Sequence, residues 1–132
     1  MSKPKIIIDR LTEIFLNNPS VAAFALVGSQ AREDVYKATE YSDMEAYVIV
    51  KDGEVEKIER ELPGLVEKFG KVLFSFKQAI GFVAVYEDLF RLELPVIKDS
   101  EMKSLFSRPK AQTVKILIDK TNGELEKILA SA

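Results

Sequence analysis

Residues 21–29 read VAAFALVGS and residues 42–50 read SDMEAYVIV, and these two stretches decide the fold. The first is wholly apolar until Gly28, which predicts a short strand over residues 21–27 buried on both faces. Gly28-Ser29 predicts a turn, with Ser29 capping a short helix through Gln30, Ala31 and Arg32. In the second stretch, a strand sends alternate side chains to opposite faces. Met44, Ala46, Val48 and Val50 then share one face, and Asp43, Glu45, Tyr47 and Ile49 share the other. The polar residues 33–41 between the two stretches read as loop.

Outward from this pair, the apolar spacing predicts alternating helices and strands. Ile7, Leu11, Ile14 and Phe15 lie at helical spacing within residues 4–18, and Asn17-Asn18-Pro19 stops that helix. Val55, Ile58, Leu62, Leu65, Val66 and Phe69 predict a helix over residues 54–69, which Pro63 is expected to kink or split. Strands are expected at residues 72–76, 82–86 and 89–97. The last alternates, with Phe90, Leu92, Leu94 and Val96 on one side and Arg91 and Glu93 on the other. A polar connection at 99–109, with at most one helical turn, leads to a strand at 113–118 and an amphipathic helix from Gly123 to Ala130. No repeat or linker interrupts the chain. The expectation is one domain over residues 1–132, an α/β (α+β) fold with a mixed sheet of about five strands flanked by helices.

Composition narrows the chemistry. The 132 residues include 19 Lys plus Arg and 21 Asp plus Glu, for a net charge of −2. That balance gives no broad basic face for nucleic acid. There is no Cys and no His. Disulfides, thiol nucleophiles, Ser-His-Asp triads and His- or Cys-ligated zinc are therefore excluded. An enzyme with this composition works through carboxylates, Lys, Tyr, Ser or a hard metal held by oxygen. No apolar run reaches the roughly 20 residues of a membrane span, and no signal-peptide pattern opens the chain. The expected location is the cytoplasm.

One cluster stands out. Asp43-Met44-Glu45 begins a strand 14 residues after Ser29, and Asp43 and Glu45 at i and i+2 share one sheet face. Mg²⁺ favours such a site, taking one or two carboxylates together with water and phosphate oxygens. The Gly28-Ser29 turn offers phosphate a backbone without a Cβ and the free N–H groups of a helix start. Arg32 can add a charge-assisted contact to a phosphate or carboxylate. Glu93, if its strand lies beside Asp43 and Glu45, brings a third carboxylate, and the mutual repulsion calls for a cation.

With those residues in view, the sequence resembles the nucleotidyltransferase superfamily, the DNA polymerase beta-like fold. Leu26-Val27-Gly28-Ser29 followed by Tyr41-Ser42-Asp43-Met44-Glu45-Ala46-Tyr47 looks most like the lincosamide nucleotidyltransferases and their aminoglycoside-modifying relatives. Phe90-Arg91-Leu92-Glu93 is similar to the segment carrying the family's third carboxylate. Ile118-Asp119-Lys120-Thr121-Asn122-Gly123-Glu124-Leu125 is similar to its strand-to-helix exit. The resemblance implies that Gly28 and Ser29 hold the β and γ phosphates of a nucleoside triphosphate. It implies that Asp43 and Glu45 bind Mg²⁺, and that Glu93 completes the metal site or acts as general base on an acceptor hydroxyl. The implied reaction moves a nucleoside monophosphate to a hydroxyl of a small molecule or protein and releases pyrophosphate.

Two departures qualify the match. Glu33 stands where many members have Gly. The antibiotic-modifying relatives carry a helical C-terminal domain, whereas this chain ends at Ala132. The acceptor half is thus expected to be missing from the chain, supplied by a partner, or formed by a second copy in a homodimer. The alternative function is a regulatory or non-catalytic module of the same fold, a nucleotide-binding homodimer or the partner of a helical toxin protein. Blander roles stand beside the sharp ones. Arg32 can be a solvated surface charge and Arg91 a simple ion-pair partner of Glu93. Tyr41 and Tyr47 are read as packing rather than as base-stacking groups, and Lys77 and Lys115, which could reach a triphosphate, are given no role because lysines are too common to single out.

Overall fold

A computed structural model of the chain describes residues 3–28, 43–79, 81–106 and 114–131. The first helix, α1 (Lys3–Leu16), buries Ile7, Leu11 and Phe15 on one face. The apolar run that follows forms β1 (Val21–Val27), and all of its residues are buried, as a strand covered on both sides requires. β2 (Met44–Val50) begins one residue after Asp43, so Asp43 stands ahead of the strand rather than within it.

Next come a 3-10 turn at Asp52–Glu54, α2 (Val55–Val66) and another 3-10 turn at Glu67–Phe69. Pro63 lies inside α2 and does not split it. Ile58, Leu62, Leu65 and Val66 on both sides of the proline are buried against the sheet. This tertiary packing overrides the lost backbone hydrogen bond.

β3 (Val72–Gln78), β4 (Gly81–Tyr86) and β5 (Arg91–Lys98) follow. A tight hairpin joins the last two. The Leu89 N–H donates to the Tyr86 carbonyl at 2.8 Å, and the Tyr86 N–H donates to that of Phe90 at 2.9 Å. Leu89 takes the left-handed φ of 69° that this turn demands. The connection after β5 is more helical than expected, with a 3-10 turn at Asp99–Glu101 and then α3 (Met102–Phe106). β6 (Val114–Asp119) and α4 (Glu124–Ser131) complete the described chain.

The strands form one six-stranded mixed sheet in the order β3-β4-β5-β2-β1-β6, in keeping with the expected mixed sheet of about five. β2 and β5 run parallel, and the other neighbours run antiparallel. A parallel pair needs a crossover, and α2 with the β3–β4 hairpin supplies it. One face of the sheet packs Phe24, Leu26, Met44, Val48, Leu92 and Leu94 against α1 and α2. The other face packs Ala23, Ile49 and Ile97 against Met102, Phe106, Leu125 and Ile128 of α3 and α4. Alternation puts Glu45 and Glu93 on this second face. No helix among the described residues is long and apolar enough to cross a membrane.

Candidate functional site

Glu45 lies in β2 and Glu93 in β5. These strands are parallel neighbours, and the two glutamates are direct register partners. Adjacent strands lie about 4.8 Å apart, so both carboxylates rise side by side from the same face. The proximity shows in Glu45, whose carboxyl is pushed above the ordinary glutamate value of 4.5, first by burial and then by the charge of Glu93. Glu93 accepts from Arg91 Nη2 through its Oε1 at 2.8 Å, so the expected ion pair forms. Arg91 is held two residues away along the same strand face, and its Nε is buried without a partner among the described residues.

The other neighbour of Glu45 is Val27, its register partner at the end of β1. Gly28 therefore starts the turn one strand away from the carboxylate pair. Its φ of 78° is in the left-handed region, where an L side chain is strained. A Cβ placed there would meet nothing within 4 Å among the described residues.

Asp43 is exposed, immediately before β2. Ser29, Arg32 and Tyr41 lie outside the described residues. Among the described residues, no group of three or more His, Cys, Asp or Glu side chains is close enough to hold a metal ion. The sheet brings together Glu45 and Glu93; it does not gather Asp43 with them. Two oxygen-donor carboxylates, one of them resisting ionisation beside the other, suit a hard divalent cation. Tyr47 packs edge-on against Phe106, with ring centroids 5.5 Å apart, as read from the sequence. Lys77 pairs with Glu59 of α2 at 3.1 Å, on the sheet face away from the glutamates.

Phe74 and Phe76 belong to the same rows, although no motif in the sequence singles them out. Register extends the Glu45–Glu93 row through Val83 of β4 to Phe76 of β3. Val85 and Phe74 flank Arg91 in the same way. Phe74 and Phe76 are 52% and 42% exposed, with nearly parallel rings 6.3 Å apart. Two Phe at i and i+2 in a strand were legible; that the strand is an edge of the sheet was not.

No protein-family model and no curated protein matches the sequence. Solved structures do match the fold. An aminoglycoside 6-adenyltransferase from Bacillus subtilis superposes with a TM-score of 0.54 at 20% identity, over 76% of this chain and 36% of that one. The Bradyrhizobium diazoefficiens CD-NTase CdnG, solved with GTP, gives a TM-score of 0.45 at 14% identity, over 92% of this chain and 41% of that one. The first of these likenesses shows that the chain has the nucleotidyltransferase fold, and the chain spans less than half the length of either structure.

Proposed function

We propose that this chain catalyses Mg²⁺-dependent transfer of a nucleoside monophosphate from a nucleoside triphosphate to an acceptor hydroxyl, with release of pyrophosphate. One observation carries the reading: Glu45 and Glu93 are register partners on parallel strands, one strand away from Gly28, which ends β1 with a left-handed φ. The fold match supports it, since a solved protein of this fold is an adenyltransferase.

In this reading, the Gly28 backbone and Ser29 hold the β and γ phosphates, and Arg32 supplies a further cationic contact. Glu45 and Glu93 would hold the Mg²⁺; Asp43, exposed one residue ahead of β2 and not gathered with them among the described residues, would join them only once the ion is bound. When bound, the ion neutralises charge on the triphosphate. Arg91 fixes the Glu93 carboxylate, which takes the proton of the acceptor hydroxyl. The acceptor oxygen forms a bond to the α-phosphorus as the bond from that phosphorus to the bridging oxygen of the β-phosphate breaks. Pyrophosphate carries away the electron pair. Positioning and charge neutralisation supply most of the acceleration.

The test incubates the chain with each labelled nucleoside triphosphate, Mg²⁺ and a panel of hydroxyl acceptors. Glu93→Gln, Glu45→Gln and Asp43→Asn are each expected to lower turnover by about a hundredfold or more, the usual scale for a general base or charge-stabilising group. Equal behaviour of wild type and all three variants across the panel would overturn the reading.

A further inference from the structure

The row of register partners orders the groups across the sheet as Val27 with Gly28 beyond it, Glu45, Glu93, Val83 and Phe76. In-line displacement sets the entering oxygen opposite the leaving one. With the departing phosphates over Gly28 at the β1 side, the acceptor oxygen enters from the opposite side, across β5 toward β4 and β3. Strands are spaced about 4.8 Å apart, so Phe76 lies roughly 10 Å beyond Glu93, the reach of one small ring or sugar. Along that path the described side chains are Val83, Val85, Phe74 and Phe76, with Arg91 beside Glu93.

The geometry points to Phe74 and Phe76 as the binding shelf for the acceptor, an uncharged hydroxyl compound with a flat apolar face such as an aryl ring or the underside of a sugar. This inference rests on the nucleotidyl-transfer reading, which fixes the direction of approach. Three features of the shelf favour that occupant. The two phenyl rings are exposed and nearly parallel, and they stand on the face that carries the glutamates. Such rings gain from stacking against a flat partner beyond the area they cover. Arg91, held against Glu93 at 2.8 Å, is the charged group next to the Phe74 row and is a cation, which opposes a polycation on the shelf.

The experiment is a titration of isotope-labelled protein, followed by backbone amide shifts, with phenyl β-D-glucoside and separately with kanamycin as a polycationic amino sugar. The glucoside should perturb the amides of β3 and β4 and bind more tightly than kanamycin. In Phe74→Ser/Phe76→Ser, whose altered residues are exposed, its dissociation constant should rise about tenfold or more. A parallel titration with ATP and Mg²⁺ should be unchanged in the double variant. Shifts confined to other elements, or kanamycin preferred on β3 and β4, would overturn the shelf. So would a double variant that turns a dimer into a monomer while glucoside binding stays the same, which would make the face a contact between copies. If ATP and Mg²⁺ fail to bind at all, the nucleotidyl-transfer reading falls by itself, and the glucoside titration still reports on the shelf.

Discussion

The face of the sheet that bears the glutamates has two unlike halves, although β2 and β5 cross both. At one end Ile49 and Ile97 lie under Met102, Phe106, Leu125 and Ile128, with Tyr47 against the Phe106 ring. At the other end the same strands present Glu45 and Glu93, flanked by Arg91 and exposed Phe74 and Phe76. Four residues along each strand change a packed interior into a half-buried pair of carboxylates beside exposed aromatic rings. The contrast implies that stability and activity can be damaged separately. Phe106 is 3% exposed, so Phe106→Ala should cost about 3–5 kcal/mol in urea unfolding. Phe76→Ala, on the other half, should change stability by no more than about 0.5 kcal/mol. Comparable losses in the two variants would erase the distinction.

The border between the halves offers the next test. Gly81 opens β4 opposite Pro95 of β5, the residue between Glu93 and Ile97 on this face. A Cβ at Gly81 would lie 2.4 Å from the Leu94 carbonyl oxygen and 2.5 Å from the Pro95 Cα. Backbone atoms cannot swing aside as a side chain can, so Gly81→Ala must push β4 away from β5. Unfolding experiments should show a loss of about 1–3 kcal/mol. A smaller effect would mean that the two strands are not held at this spacing.

How far the sequence discloses this arrangement differs between the two halves. β1 was legible to the residue because an unbroken apolar heptad bounded by Pro19-Ser20 and Gly28 has one economical explanation. The glutamate face of β2 and β5 was legible because a period of two assigns faces without knowing neighbours. The adjacency of β2 and β5 was a conditional statement, since α2 and a hairpin separate them and no local pattern encodes a parallel pairing across 47 residues (Glu45 to Glu93). The edge position of β3 was hidden for the same reason. Pro63 does not split α2, because the burial of Leu62, Leu65 and Val66 around it is a tertiary fact that its local penalty, plain in the sequence, does not disclose. Asp43 also slipped out of the strand by a single residue, within the ordinary uncertainty of an element's end.

The smallest expected effect bears on what the glutamate half costs the fold. Glu45 holds its proton more tightly in the folded chain than in the unfolded one, because it is partly buried and faces Glu93. The favourable contribution of protonated Glu45 is therefore complete below about pH 4.5. It is lost as pH rises through the raised native value, and at neutral pH ionised Glu45 is a net cost. Like charges opposite one another on neighbouring strands are worth about 0.2–1 kcal/mol. Arg91 offsets part of the Glu93 charge, which places the effect toward the lower end. Glu45→Gln should then be more stable than wild type at neutral pH by that amount, and the gap should close as pH falls toward 4.5. Added Mg²⁺ should narrow the same gap at neutral pH by stabilising wild type and not the variant. Thermal unfolding across pH, with and without the ion, reads all three. A Glu45→Gln variant less stable than wild type at neutral pH would show that the carboxylate serves the fold as an acceptor, and the contrast between a packed half and a strained, ligand-ready half would lose its electrostatic part.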